Sequence, residues 1–363
     1  MDTIQNYKCP CCGASLAFDS KSQHLHCDSC GNDFSAETLE QLDHANTKAD
    51  EASHFDWDQY EPREFKAVGD EGMASYTCPS CGAEISGDAS MGATVCPYCG
   101  NATIIKGQFE GALLPDFLIP FKKDKKAAMA AFEESCKKAP FLPDEFKNKK
   151  KIEEMAGIYI PFWTFDCECE AAVNYRAEKI TTWSDSDSDY TQTDYYQLLR
   201  EGSIEFQNIP VDASKKADDN YMDAIEPYDY SEAVDFKTTY LSGYLADKYD
   251  VSVEDSVERA NRRVKNSTEM AFMSTASSYS GVTTENSSIN VSHGKIRYSL
   301  LPVWMLNIKY AGKVYKYAIN GQTGKVVGDY PISKRKRNWY FTKVLAISLA
   351  AMLGVAWIYL KLI

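Results

Sequence analysis

Residues 78–100 read CPSCGAEISGDASMGATVCPYCG, and residues 9–31, 69 positions earlier, read CPCCGASLAFDSKSQHLHCDSCG. Both stretches place cysteines at the same intervals: Cys9, Cys12, Cys27 and Cys30 in the first, Cys78, Cys81, Cys96 and Cys99 in the second. Two residues between cysteines leave enough chain to bend both sulfurs onto one ion, and two such turns close a tetrahedron of thiolates. Glycine follows the second cysteine of every pair, at Gly13, Gly31, Gly82 and Gly100. A left-handed backbone there turns N–H groups toward sulfur. Proline follows the first cysteine in three of the four pairs, at Pro10, Pro79 and Pro97. The pattern predicts two structural Zn2+ sites; iron, held as in rubredoxin-like knuckles, fits the same spacing. Only fourteen residues separate the pairs in each copy. That is too few for a core, so the metal must supply most of the folding free energy of each ribbon.

The repeat also separates ligands from bystanders. Shifted by 69 positions, Cys11 falls on Ser80, His24 on Ala93 and His26 on Val95. None of the three is expected to ligate.

Charge is distributed unevenly over the 363 residues, whose net value is -13. Residues 1–110 carry eighteen Asp/Glu against six Lys/Arg, whereas residues 331–363 carry six Lys/Arg and no acid. An acidic zinc module binds polyanions poorly, since affinity for a nucleic acid rests on neutralising phosphates. No basic segment followed by an apolar stretch opens the sequence, which predicts no cleavable signal peptide, and the metal-type cysteine pattern suits a reducing compartment. Val344–Leu360 holds seventeen uncharged residues behind Lys334, Arg335, Lys336, Arg337 and Lys343, with Trp339, Tyr340 and Phe341 before it and Trp357 and Tyr359 at its end. This predicts a transmembrane tail anchor with the basic flank, and the N-terminal body, on the cytoplasmic side.

Between ribbons and tail, helical spacing over Asp124–Lys138 stops before Pro140 and is followed by a β-rich run over Gly157–Arg176; a second helical stretch over Ser252–Met273 leads to strands over Ile296–Tyr310. Pro161 and Trp163 in the first run match Pro302 and Trp304 in the second at an offset of 141. A duplicated unit of helix, Pro-x-Trp strand and antiparallel meander is expected, giving an α+β class. Asn320–Gly324 reads as a tight turn between two strands. Cys167 and Cys169 alternate along a strand and read as packed thiols; Asp185, Asp187 and Asp189 lack the glycine and distal glutamate of a calcium loop and read as a solvated hairpin tip.

Nucleotide-binding glycine loops, His-Glu-x-x-His and Gly-x-Ser-x-Gly are all missing from the sequence, and the five histidines pair with no nucleophile. A site filled by four thiolates has no open position for water or substrate, so a non-enzyme is expected with no catalytic residues.

The two ribbons, GIYIPFWTFD (157–166), IPVDAS (209–214), EPYD (226–229), LPVW (301–304) and INGQTGKVVGDYP (319–331) together resemble a bacterial family described as transcription factor IIB-type zinc-ribbon proteins, often labelled as relatives of the primosomal replication-restart helicase. The helicase label departs from this chain, which has neither the nucleotide-binding loop nor the length of a motor. The resemblance implies two structural zinc sites, a C-terminal membrane segment, and a scaffold role beside SPFH-domain membrane proteins, one of which would be the protein partner. The expected organisation is zinc ribbon 1 (1–36), polar linker (37–73), zinc ribbon 2 (74–108), two α+β modules (109–235 and 236–332), and a basic flank with tail anchor (333–363). The expected function is a membrane-anchored adaptor in membrane stress or organisation. A nucleic-acid-associated ribbon factor in replication or transcription is the alternative.

Overall fold

The computed structural model describes residues 8–10, 14–29, 31–63, 73–88, 96–100, 105–107, 113–147, 152–241 and 243–362. In chain order, a small antiparallel sheet of β1 (Ala17–Asp19), β2 (His24–His26) and β3 (Asp33–Phe34) precedes helix α1 (Ala36–Asp50) and strand β4 (His54–Trp57). Strands β5 (Met73–Thr77), β6 (Glu84–Asp88), β7 (Ile105–Gly107) and β8 (Phe117–Leu118) lead to helix α2 (Lys125–Lys137). The long strands β9 (Ala156–Ser184) and β10 (Asp189–Asp212) are followed by α3 (Asp219–Ala224), β11 (Val234–Asp235), β12 (Leu245–Asp247) and α4 (Val253–Ser274). Strands β13 (Gly281–Tyr310), β14 (Lys313–Asn320) and β15 (Val326–Gly328) and helix α5 (Lys334–Leu362) close the chain.

The chain divides into two compact units, each assembled from three segments. The first holds Met1–Tyr60, Thr164–Pro210 and Val253–Ile296; the second holds Glu61–Trp163, Val211–Ser252 and Arg297–Ile363.

In the first unit β9 lies between β10 and β13, and β4 adds to β13 in parallel. Helix α4 buries Ser256, Ala260, Val264 and Thr268, a stripe at successive four-residue steps whose small side chains bring the helix close to the strands. It rests on the odd-numbered face of β9: Cys169 Sγ lies 3.7 Å from Thr268 Oγ1, and Tyr175 donates from its hydroxyl to the Glu269 carbonyl at 2.8 Å. Helix α1 meets the even-numbered face, where Asn174 Nδ2 donates to Asn46 Oδ1 at 2.6 Å. Ser35 caps α1 by accepting from the Thr38 N–H at 3.1 Å. Residues 37–73, expected as a connector, thus contain α1 and β4, with residues 64–72 outside those described.

In the second unit one strand serves two cores. Leu301, Val303 and Met305 of β13 pack with Ile158, Ile160 and Phe162 of β9 and with Cys78 and Cys96 of the second ribbon. Trp304, Leu306 and Ile308 point the other way, onto Ala128, Phe132 and Cys136 of α2. The period-two alternation of an extended chain produces this division. Asp124 caps α2 by accepting from the Ala127 N–H at 2.7 Å.

Two hydrogen-bond nodes built on the Pro-x-Trp segments match one another bond for bond. In one, the Asp250 and Val251 N–H groups donate to the Ala213 carbonyl (2.9 and 3.2 Å), Ala213 donates to the Pro161 carbonyl (2.9 Å), and Trp163 Nε1 donates to the Val251 carbonyl (3.0 Å). In the other, Lys122 and Lys123 donate to the Gly321 carbonyl (3.0 and 2.8 Å), Gly321 donates to the Pro302 carbonyl (2.8 Å), and Trp304 Nε1 donates to the Lys123 carbonyl (2.9 Å). Val251 and Lys123 each stand two residues before a helix, α4 and α2 respectively. Even the ring contacts correspond, Trp163 with Tyr249 and Trp304 with Phe121. Each copy's tryptophan therefore fixes the entrance to the other copy's helix. A Cβ on Gly321 would sit 2.7 Å from the Phe121 ring and 2.8 Å from Pro302, so this node requires glycine where its counterpart has Ala213.

Two expectations need correction. The sheets are mixed, not purely antiparallel, because β12 runs parallel to β9 and β13 runs parallel to β8 and β4. The transmembrane tail anchor over Val344–Leu360 is overturned, and with it the single-pass membrane location and the membrane as a partner. Among the described residues no helix is long and apolar enough to cross a membrane. Nor is the basic flank a free cluster: Lys336 Nζ donates to the Leu142 carbonyl (2.8 Å) and to Asp144 (2.6 Å), and Tyr340 packs edge-on against Phe141.

Candidate metal centre

Strands β5 and β6 pair from Met73↔Asp88 to Thr77↔Glu84, so the knuckle Cys78–Gly82 is the turn of their hairpin. The second knuckle, residues 96–100, faces it. Cys78 Sγ and Cys99 Sγ lie 3.6 Å apart, Cys81 Sγ and Cys96 Sγ 3.7 Å apart, and all four sulfurs fall within 4.8 Å of one another. These are not disulfide distances, which lie near ~2.05 Å. A tetrahedron with metal–sulfur bonds of ~2.3 Å has edges of ~3.8 Å, and the observed contacts match it.

The knuckle backbone shows why glycine ends each turn. The Cys78 N–H donates to the Ala83 carbonyl at 2.9 Å and the Gly82 N–H to the Cys78 carbonyl at 2.8 Å, with Gly82 at φ 69°; Gly100 donates to the Cys96 carbonyl at 2.8 Å with φ 70°. In that left-handed conformation the intervening N–H groups turn toward sulfur. Burial raises the Cys78 thiol, but N–H groups of Cys81 and Ser80 and the thiols of Cys99 and Cys81 outweigh it and bring it down to about 7. Burial pushes Cys81 and Cys96 upward. Four sulfurs this close cannot all be charged without a cation between them, and a divalent ion removes that repulsion. The group is suited to hold one metal ion, with Cys78 and Cys96 fully buried and Cys81 and Cys99 half-buried.

Side chains of the same unit grip the ribbon directly. Asn307 Nδ2 donates to the Pro97 carbonyl at 2.7 Å, and Lys216 Nζ to the Cys81 carbonyl at 2.6 Å. The Tyr98 hydroxyl donates to Asp247 Oδ2, and Ser214 donates to the same oxygen at 2.5 Å. Burial pushes the Asp247 carboxyl up to about 7. Sequence reasoning did not single out Tyr98, Ser214 or Asp247. The available signal was the place where the repeat breaks: Tyr98 corresponds to Ser29 in the first copy.

Of the first ribbon, Cys9 and Cys27 are described and buried, whereas Cys12 and Cys30, with Cys11, lie outside the described residues. Their backbones repeat the second ribbon: Cys9 donates to the Ala14 carbonyl (2.7 Å), Cys27 to that of Asn32 (2.9 Å), and Gly31, at φ 73°, to that of Cys27 (2.8 Å). His24 and His26 are engaged elsewhere, His24 Nδ1 with the Ser22 carbonyl and His26 Nδ1 with Asp33 at 2.7 Å. Cys167 and Cys169 are buried, and burial pushes Cys167 up to about 12; they join no metal-type group among the described residues. Asp185 Oδ1 accepts from the Asp187 and Ser188 N–H groups at 2.9 and 2.8 Å, which closes an exposed hairpin tip.

No protein-family model matches the chain, and no solved structure matches it. A curated relative does: the chain is 36% identical over 355 residues to the "Uncharacterized protein YdjG" of Bacillus subtilis (strain 168), a match covering 96% of this chain and 98% of that protein. Identity of this degree across nearly the full length of both chains places the protein in one family with YdjG.

Proposed function

We propose that this protein is a non-catalytic zinc-ribbon adaptor, whose metal-held knuckles present a fixed surface to a protein partner. The observation that carries this reading is the closed tetrathiolate cluster of Cys78, Cys81, Cys96 and Cys99, bolted to its unit through Tyr98, Asn307 and Lys216. Four thiolates saturate a tetrahedral ion and leave no position for substrate, so the metal's work is to hold shape. Zinc is the ion we assign. A second zinc held by Cys9, Cys12, Cys27 and Cys30 is supported by the shared knuckle hydrogen bonds. The resemblance to transcription factor IIB-type zinc-ribbon proteins points the same way, while the acidic balance of residues 1–110 sets the reading against nucleic acid.

The test is affinity purification of the full chain as wild type, Cys78→Ser and Cys136→Ser. Cys136 is buried but belongs to no metal group. Loss of the same co-purifying proteins from Cys78→Ser alone is the expected result. Identical associates in all three would refute the adaptor reading. Metal analysis separates zinc from iron, which would also colour the protein.

A further inference from the structure

The first unit contains a cleft of about 420 Å3 between the end of α1 and the sheet beneath it, lined among others by Lys48, Glu51, Glu170, Glu201, Ser288 and Asn290. Three adjacent strands supply its floor at alternate positions: Glu170 and Ala172 of β9, Glu201 and Ser203 of β10, Ser288 and Asn290 of β13. The neighbouring helix–sheet contact is polar, since Asn46 Oδ1 accepts from Asn174 Nδ2 and, at 3.0 Å, from Gln197 Nε2. The floor under the last turn of α1 is small or polar, so no apolar packing fills the space.

Three features of this cleft select a ligand. Lys48 Nζ is paired with Glu201 at 3.0 Å, while Glu51 and Glu170 form no ion pair within 4 Å among the described residues. Lys48 is also drawn electrostatically to Glu170 and Glu51, so one ammonium faces three carboxylates and negative charge remains in excess, to which the carbonyl end of α1 adds its own partial charge. Ser288 is 2% exposed, and its hydroxyl has no hydrogen-bond partner among the described residues. A buried hydroxyl without a partner marks a place where a donor or acceptor is wanted. Finally, the three glutamates do not converge as metal ligands do: among the described residues only the cysteine cluster gathers its ligand atoms within 4.8 Å. The carboxylates are too dispersed for a single ion, and the volume lies within the usual range for small-molecule sites.

We propose that this cleft binds a short linear polyamine, one ammonium group between Glu51 and Glu170 and another amine reaching the Ser288 hydroxyl. The Ala172 methyl, on the same face as Glu170, offers an apolar spot for a methylene segment, and one ammonium shared by Glu51 and Glu170 leaves the next amine free to reach Ser288. The site is independent of the metal centre, and the adaptor reading stands or falls without it.

The experiment is isothermal titration of the full chain with spermidine, 1,4-diaminobutane and MgCl2 at about 150 mM salt, comparing wild type with Glu170→Gln and Ser288→Ala. Saturable one-to-one spermidine binding is expected, weakened about tenfold by Glu170→Gln, which removes one charge-assisted hydrogen bond. Ser288→Ala should weaken it by a smaller factor, and MgCl2 should give no saturable heat. Should Glu170→Gln fail to fold by circular dichroism, Glu51→Gln at the exposed helix end replaces it with the same expectation. Equal responses to Mg2+ and spermidine would show diffuse charge attraction only, and unchanged spermidine affinity in the glutamate variant would place binding elsewhere. Either result overturns the proposal, as would competition for the cleft by a lysine-rich peptide with no binding of free polyamine.

Discussion

Asp247→Asn tests the link between the second ribbon and its unit. The carboxyl is buried, and burial pushes it from its ordinary value of 3.8 up to about 7. Held neutral in the fold and charged in the unfolded chain, it makes the unfolded state the poorer proton binder once pH exceeds about 4. Stability therefore falls as pH rises from that point and levels off above about 7. Integrated between pH 5.5 and pH 7.5, the contribution is a loss of about 2 kcal/mol. Tyr98 and Ser214 both donate to Oδ2, so an asparagine with its oxygen in that place keeps both bonds and mimics the neutral acid. Urea unfolding of wild type and variant at equal metal content, at pH 5.5, 6.5 and 7.5, should show the variant gaining on wild type by about 2 kcal/mol across the series. A difference that stays constant with pH would mean that Asp247 does not titrate in this window, and the reasoning would fail.

Cys78→Ser removes one ligand of the described cluster and should lower the metal content by one ion per chain, with a stability loss of several kcal/mol, measured by elemental analysis and thermal unfolding. Trp304→Phe should cost about 1–3 kcal/mol by leaving the Lys123 carbonyl without its indole donor; Trp163→Phe should cost a similar amount at Val251, as read from denaturant midpoints. Phe132→Ala, at a fully buried ring packed edge-on against Tyr317, should destabilise by about 3–5 kcal/mol. A loss under 1 kcal/mol there would show that α2 does not carry that core.

The metal cluster was legible because ligand spacing is a local property: four cysteines and their glycines lie within 23 residues, and the repeat set aside His24 and His26, which bond elsewhere. Helix α2 was legible to within a residue, since Asp124 caps it and its apolar positions follow helical spacing. Helix α1 was legible only at its start, near Ala36–Asp43, inside what reads as a polar connector: among its described residues it buries Leu39 and Ala49 and rests on the sheet partly through Asn46, a thin apolar stripe. Tyr98 and Asp247 are 149 residues apart, and no local pattern joins them. The division into two units, each drawn from three stretches, was hidden for the same reason: strands β9, β10 and β13 are long enough to leave one core and enter another. The tail misled in the other direction: its composition suggested a membrane span, and among the described residues no helix is long and apolar enough to cross a membrane.

The crossed tryptophan nodes bear on how the chain matures. While the ribosome is still making the second copy, Trp163 has no Val251 carbonyl to meet, and Lys122 and Lys123 wait for a glycine almost two hundred residues downstream. Neither helix entrance can be secured early, so the nascent protein must remain incomplete until residue 321 emerges. Two fragments divided between Ala213 and Asp250 would each hold half of both clasps, and mixing them should restore a fold that neither attains alone.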